Sequence, residues 1–363
     1  MIRVLHVVTH MNRGGLETMI MNYYRNINRE KIQFDFLVHR SYRADYDDEI
    51  EKLGGKIYRI PALNPFSTTY QKELDNFLKK HPEYSIIHVH QDCMSSIILK
   101  VAEKNGVKVR IAHSHSSNQD KNFKYYIKLF YRRQIPKYAT DLLACGKKAG
   151  DWMFLGAPFH VMNNAIDAKQ YVFNLNKRKE IRKKLGIGEN EIVIGHVGRF
   201  SPPKNHDFLI QIFEKMTKKT NAKLLLVGDG GLRKNIEEKV ENLGLKEKVI
   251  FTGVRSDVAD LMQGMDVFVF PSIYEGLPVT MVEAQASGLP CVISSNVPKE
   301  TILIPELVKF LDLSDTLNKW EQCILESVKT KRENTIDKIK KSGFDIEESA
   351  KWLENFYCEK AKI

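Results

Sequence analysis

Ile192-Val193-Ile194-Gly195-His196-Val197-Gly198 is a strand-sized apolar run in the middle of the chain. A strand buried on both faces of a parallel sheet reads this way, because covering helices leave no polar face to alternate with. Downstream, short apolar runs at 223–227, 249–252, 266–270 and 290–293 are separated by longer amphipathic stretches. Upstream, strand candidates at 3–8, 33–39, 56–60, 85–90, 109–113 and 141–145 alternate with helical patterns such as 16–26, 69–79 and 95–104. Alternation of this kind predicts a parallel sheet with helices on both faces. The run at 192–198 is therefore a second first strand. The sequence predicts an α/β protein of two Rossmann-like domains, one after the other.

The length of 363 residues suits two such domains better than one core. Val161-Met162-Asn163-Asn164-Ala165-Ile166-Asp167 and the polar stretch after it form the best linker, near 163–172. Near the C-terminus, Ile346, Ala350, Leu353 and Tyr357 recur on one helical face. By position alone that helix caps the second domain.

With 43% hydrophobic and 28% charged residues the chain has an ordinary globular composition. No apolar run approaches the ~18 residues that span a bilayer. The N-terminus enters a strand at once, with no basic leader or cleavage site, so the expected location is the cytoplasm. Cys93, Cys145, Cys291, Cys323 and Cys358 are odd in number and form no CxxC pair, which favours buried thiols over disulfides or metal ligands. The net charge is +11, but residues 1–165 hold 25 Lys and Arg against 16 Asp and Glu, a net +9. A solvated basic surface and a face toward something anionic both fit that asymmetry.

The window Tyr274-Glu275-Gly276-Leu277-Pro278-Val279-Thr280-Met281-Val282-Glu283-Ala284 follows an apolar strand candidate, so it lies at the carboxyl edge of a parallel sheet, where such folds bind ligands. Pro278 suits the first helical position. Gly276 lets a ligand approach the backbone, and the helix N-terminus offers free N–H groups to a phosphate. Glu275 and Glu283 flank this mouth, and carboxylates beside a bound phosphate must point at hydroxyls instead. They are assigned to sugar or ribose hydroxyls as acceptors. An ordinary helix start with a solvated glutamate is the plainer alternative. Gly198-Arg199-Phe200-Ser201-Pro202-Pro203-Lys204-Asn205 follows the first strand of the second domain at the same edge. Arg199 and Lys204 are the two cations a departing diphosphate needs where no metal serves it.

Glu275-x7-Glu283 within Glu-Gly-Leu-Pro, Arg199-x4-Lys204 and the Gly14-Gly15 loop together carry a resemblance. The chain resembles the glycosyltransferase family 4 enzymes of GT-B fold, and within them the bacterial capsule and exopolysaccharide enzymes, over essentially its whole length. The resemblance implies two Rossmann-like parallel-sheet domains facing a central cleft: an acceptor-binding domain over 1–165 and a nucleotide-sugar donor domain over 166–345. It implies too that the helix of 346–363 crosses back to the first domain. It places Arg199 and Lys204 on the donor diphosphate, Glu275 on hydroxyls of the transferred sugar and Glu283 on the ribose. Gly276, Leu277, Pro278, Val279 and Thr280 would line the path between them, and the turn holding Val254 would read the base edge. Gly14 and Gly15 would allow close approach of the transferring group, and His113 would lie over the donor sugar. His115 would bind acceptor or simply pack. No DxD signature stands at a strand end, so the expected catalytic set is Glu275, His113, Arg199 and Lys204, with no metal and no cofactor beyond the UDP-sugar substrate.

Residues 121–138 hold six bases, six aromatics and no acid. Lys121, Lys124, Lys128 and Arg132 align on a helix beside Phe123, Tyr126, Ile127 and Phe130, with Arg133 next to them. Such a helix suits an anionic membrane surface or lipid headgroup. A half-buried helix with a solvated basic face is the bland alternative, and no recognition fold for nucleic acid accompanies the bases. The expected function is retaining, metal-independent transfer of a hexose or N-acetylhexosamine from a UDP-sugar to a saccharide, free or lipid-linked. A nucleotide-sugar epimerase on the same fold is one rival. A non-catalytic partner of another transferase is a second, disfavoured because Arg199, Lys204, Glu275 and Glu283 are all present.

Overall fold

The computed structural model describes residues 1–116 and 125–362. The chain divides into two compact units, residues 1–165 with 346–363 and residues 166–345.

In the first unit the strands are β1 (Ile2–Val8), β2 (Ile32–Val38), β3 (Ile57–Arg59), β4 (Ile86–Val89), β5 (Val109–Ser114), β6 (Asp141–Ala144) and β7 (His160–Val161). They form one sheet in the order β3-β2-β1-β4-β5-β6-β7, and every pairing in it is parallel. The helices that matter below are α1 (Gly15–Asn26), α2 (Tyr125–Arg132) and α3 (Lys147–Phe154). Every residue of β2 is buried, and its two polar side chains are paired inside the fold: Tyr24 donates to Gln33, and Arg3 and Tyr84 donate to Asp35.

The second unit holds β8 (Ile192–Val197), β9 (Ala222–Val227), β10 (Val249–Phe251), β11 (Val267–Phe270), β12 (Cys291–Ser294) and β13 (Val308–Leu311). Their order is β10-β9-β8-β11-β12-β13, again with parallel pairings throughout. The sheet is therefore wound outward in both directions from β8, the doubly wound order of nucleotide-binding folds. Helices α4 (His206–Met216) and α5 (Val279–Ala286) leave the carboxyl ends of β8 and β11, the two strands flanking the point where the order reverses. Strands β7 and β13 escaped sequence analysis: the first has two residues, and the second is only partly buried, with Lys309 at its centre.

The C-terminal helix α6 (Ile346–Lys360) packs in the first unit. Its apolar face joins the core that α1 forms over the sheet, with Ile346, Ala350, Leu353 and Tyr357 buried beside Tyr23, Phe34 and Ile111. The end of the chain thus completes a core begun at its start. Position along the sequence pointed to the second unit, and the matching apolar surface lies in the first.

Replacing Leu353, which is 1% exposed, with Ala should cost about 2–5 kcal/mol, the range for emptying a leucine-sized site. Urea denaturation should show the loss in a transition reported by the first unit. An unchanged midpoint would mean that the helix is not part of that core.

Candidate functional site

Three loops at the carboxyl edge of the second sheet are tied together by backbone hydrogen bonds. Gly198 N–H donates to Val227 O (2.9 Å), Phe200 N–H to Asp229 O (3.0 Å) and Gly228 N–H to Gly253 O (2.9 Å). Gly228, at φ +134°, lies so close to the Gly198 carbonyl that a side chain there would collide with it. The tight packing fixes the path of 198–205 and sets Val254, 47% exposed, at the open side of the same edge.

Lys204 closes a short 3-10 turn (Pro202–Lys204), and Asn205 takes a left-handed conformation (φ 55°) as α4 begins. The turn aims the lysine across the reversal point of the sheet. Its Nζ lies 2.7 Å from Glu275 Oε1 and 4.6 Å from the centre of the Phe270 ring. Both side chains are largely withdrawn from water, at 18% and 12% exposure, so the pair is a shielded one. Arg199 is exposed on the loop before it. The structure thus brings Lys204 and Glu275 together from two loops 71 residues apart.

Pro278 stands at the N-cap of α5, with ψ 120°, one residue earlier than the sequence suggested. Its extended ψ keeps it outside the helical turn, and Val279 becomes the first helical residue. Thr280 Oγ1 in the first turn and Ser272 Oγ in the preceding loop are buried without a hydrogen-bond partner among the described residues. Leu277, Pro278 and Val279 are buried, and Gly276 is half-buried beside them.

Glu283 lies on the second turn of α5 and is only 6% exposed. Its Oε1 accepts from the Tyr171 hydroxyl at 2.7 Å. Burial pushes its carboxyl up to about 7, and the tyrosine hydrogen bond partly offsets that. Tyr171 was not foreseen. It lies in the predicted linker, where a lone tyrosine carries no signal, and the Gln263 side-chain amide pins it by donating to its carbonyl (3.2 Å).

In the first unit, Gly14 is the N-cap of α1, and a side chain there would strike the Glu17 carboxylate, whereas Gly15 faces open space. His113 is the penultimate residue of β5 and is 1% exposed; its Nδ1 lies 3.2 Å from His88 Nε2, and its Nε2 is buried without a partner among the described residues. His115 is partly exposed and lies 2.9 Å from His90 Nδ1. Two histidine-x-histidine pairs at the ends of adjacent strands were visible in the sequence, yet only the second was singled out.

Lys121 and Lys124 lie outside the described residues. From Tyr125 the helix α2 runs only to Arg132, and a separate short helix (Ile135–Tyr138) follows, so the bases do not share one continuous helix to Tyr138. Pro136 explains the break, since it cannot donate within a helix interior. Arg132 turns inward: it donates to Trp152 O (3.0 Å) and its guanidinium lies 4.8 Å from the Trp152 ring. Lys128 and Arg133 remain on the partly exposed surface, with Tyr126 (78% exposed) and Phe130 (62%) beside them.

The family profile "Glycosyl transferases group 1" matches residues 177–310, and "Glycosyltransferase Family 4" matches residues 13–170. EpsF of Bacillus subtilis (strain 168) is 37% identical over 98% of this chain and 96% of its own. The chain belongs to the glycosyltransferases. The capsular polysaccharide biosynthesis glycosyltransferase CapH of Staphylococcus aureus is 26% identical over 99% of both chains. The UDP-Gal:alpha-D-GlcNAc-diphosphoundecaprenol alpha-1,3-galactosyltransferase of Escherichia coli is 23% identical over 99% of this chain and 97% of its own. Among solved structures, Anabaena HepE in complex with UDP and glucose superposes with a TM-score of 0.82 at 17% identity, over 99% of this chain and all of the other. The fold of this glycosyltransferase is therefore of the GT-B type.

The raised Glu283 carboxyl gives a pH test. Between its ordinary range near 4.5 and about 7, the folded protein holds a proton that the unfolded chain has released. Stability must then fall as pH rises through that window and stay low above it. Glu283→Gln, which keeps an acceptor for Tyr171, should raise the Tm at pH 8 and leave it nearly unchanged at pH 4. Equal Tm shifts at both pH values would contradict a carboxyl held in this way.

Proposed function

We propose that this glycosyltransferase moves a hexose or N-acetylhexosamine from a UDP-sugar to a saccharide acceptor, with retention at the anomeric carbon and without a metal. The observation that carries the reading is the Lys204–Glu275 pair set across the reversal point of the second sheet. A cation and a carboxylate held side by side can serve the two ends of a nucleotide sugar: Lys204 the diphosphate, Glu275 the sugar hydroxyls. Arg199 adds a second cation, and the first turn of α5, with Thr280, adds helix N–H donors. Glu283 then takes the ribose hydroxyls. HepE, crystallised with UDP and glucose, and the Escherichia coli relative, which acts with UDP-Gal, support a uridine nucleotide.

In the reaction the bond from the anomeric carbon to the diphosphate oxygen breaks as the acceptor oxygen bonds to the same carbon on the same face. The acceptor's hydroxyl proton passes to the departing phosphate oxygen. Lys204, Arg199 and the helix terminus stabilise the charge that grows there, which is where electrostatic catalysis has most to gain. The scheme needs no carboxylate nucleophile of the kind used by retaining hydrolases.

The acceptor side of the proposal is a lipid-linked saccharide used in capsule or exopolysaccharide synthesis. CapH and the diphosphoundecaprenol-directed transferase support it by their names. No helix among the described residues is long and apolar enough to cross a membrane. Peripheral contact is proposed instead, through Tyr126 and Phe130 on α2 with Lys128 and Arg133 beside them. Exposed aromatics next to bases favour an anionic lipid interface.

In a transfer assay with a panel of UDP- and GDP-sugars, wild-type protein should use a UDP-sugar and retain activity after exhaustive EDTA treatment. Lys204→Ala and Glu275→Gln, both folded, should lose ~100-fold or more in turnover. Activity that returns only with Mg²⁺ or Mn²⁺, or near-normal turnover in both variants, would refute this use of the site.

Wild-type protein should also co-sediment with phosphatidylglycerol vesicles at low salt and release at high salt, because exposed charges are screened. The variant Tyr126→Ser, Phe130→Ser, Lys128→Gln, Arg133→Gln should bind less while hydrolysing donor normally. Arg132 is left intact there, since its contacts hold Trp152. Undiminished binding would remove α2 from the lipid surface.

A further inference from the structure

The second unit opens with a short 3-10 turn, Ala168–Tyr171, which Asp167 caps by accepting from Lys169 N–H at 3.1 Å. Tyr171, its last residue, has a backbone held from several sides. The Gln263 side-chain amide donates to the Tyr171 carbonyl (3.2 Å), while its oxygen accepts from Asn174 N–H (3.0 Å). The Arg332 guanidinium lies over the Phe173 ring at 4.2 Å. Gln263 is buried in the helix Val258–Gly264, so this clamp belongs to the core of the second unit. A tyrosine side chain turns about few bonds, and a fixed backbone leaves its hydroxyl few places to go.

That hydroxyl meets Glu283 on α5, 112 residues further along the chain, and donates to Oε1 at 2.7 Å. Glu283 is buried, which disfavours its ionised form. Tyr171 is the hydrogen-bonding side chain that acts against this, drawing the carboxyl back toward ionisation. An ionised carboxylate has two oxygens with about four lone-pair sites between them, all of them acceptors. Tyr171 takes one site on Oε1. What remains is Oε2 and a second site on Oε1, two acceptors side by side. Hydroxyls on adjacent ring carbons match such a pair, and the 2′- and 3′-hydroxyls of a ribose are of that kind. A glutamate left to itself turns about several bonds and must be ordered when a ligand arrives. The bond from Tyr171 orders it beforehand, so that cost is not charged to binding.

We infer that Tyr171 is a positioning residue that sets the Glu283 carboxylate to accept from both ribose hydroxyls, and so makes the site selective for a ribonucleoside diphosphate over its 2′-deoxy counterpart. The inference rests on the reading of Glu283 as the ribose acceptor. A site arranged around a hydroxyl rejects the analogue that lacks it, because its own polar atom is then left unpaired where water reaches poorly. Phenylalanine at position 171 would fill the same space and leave the carboxylate unguided. Sugars carried on a 2′-deoxynucleoside diphosphate are therefore poor donors for this enzyme.

Isothermal titration calorimetry of the full-length protein with UDP and with 2′-deoxy-UDP, which differ by one oxygen, tests this. Wild-type protein should bind UDP about tenfold more tightly, or better. In Tyr171→Phe the affinity for UDP should fall about tenfold and that for 2′-deoxy-UDP much less, so the preference largely disappears. Glu283→Gln should lose the preference as well. Adding Tyr171→Phe to it should then change UDP binding little, because the tyrosine acts through the carboxylate. Circular dichroism checks that each variant is folded. A Tyr171→Phe variant that keeps the preference, or that weakens both nucleotides equally, overturns the inference and leaves the ribose reading of Glu283 standing. Additive losses in the double variant overturn it too. A wild type that binds UDP no better than 2′-deoxy-UDP removes the ribose reading itself, and the inference with it.

Discussion

In each unit, strand order runs outward both ways from a central first strand, and this places every candidate group of the donor site. Where β8 and β11 lie side by side, the connections after them depart to opposite faces and leave a gap at the carboxyl edge. Only there can a loop residue such as Lys204 reach a loop residue such as Glu275 without a strand or helix between them. The pair is the chemical consequence of the topology. Phe270 beneath the ammonium and the low exposure of both partners then make the attraction stronger than a surface pair would be.

The same unit invests buried charge in holding the segment after the linker. Asp266 receives Arg178 (2.6 Å) and Arg182 (3.2 Å), and its Oδ2 also accepts from Val193 N–H (2.7 Å). Arg332 stacks on Phe173 at 4.2 Å and donates to several backbone carbonyls, and its burial draws the guanidinium down to about 9. Phe173 and Asn174 are thereby fixed beside Tyr171, whose hydroxyl reaches Glu283. The raised Glu283 carboxyl is thus the end of a supported chain of contacts.

Much of the loop geometry at the carboxyl edge of the second sheet was legible because it is local. A glycine-proline turn into a helix, a glycine after a strand and cations nearby are all set by residues within one window. Tyr171, His88 and Tyr357 were not legible in their roles. A tyrosine in a linker, a histidine inside a strand and a tyrosine on an amphipathic face each read as packing until their distant partners are known. Arg132 shows the opposite error: its spacing from Lys128 put it on an exposed basic face, yet its contacts with Trp152 turn it inward.

By itself the sequence determined two parallel α/β sheets and the glutamates and cations standing at the carboxyl edge of the second. It did so because burial on both faces and helix-terminus chemistry are written in neighbouring residues. Tertiary structure alone decided that Lys204 pairs with Glu275 and that Tyr357 reaches His88 across 269 residues of chain. Contacts between distant segments depend on which apolar faces and unpaired protons meet after folding, and no single window of sequence holds both sides of such a contact.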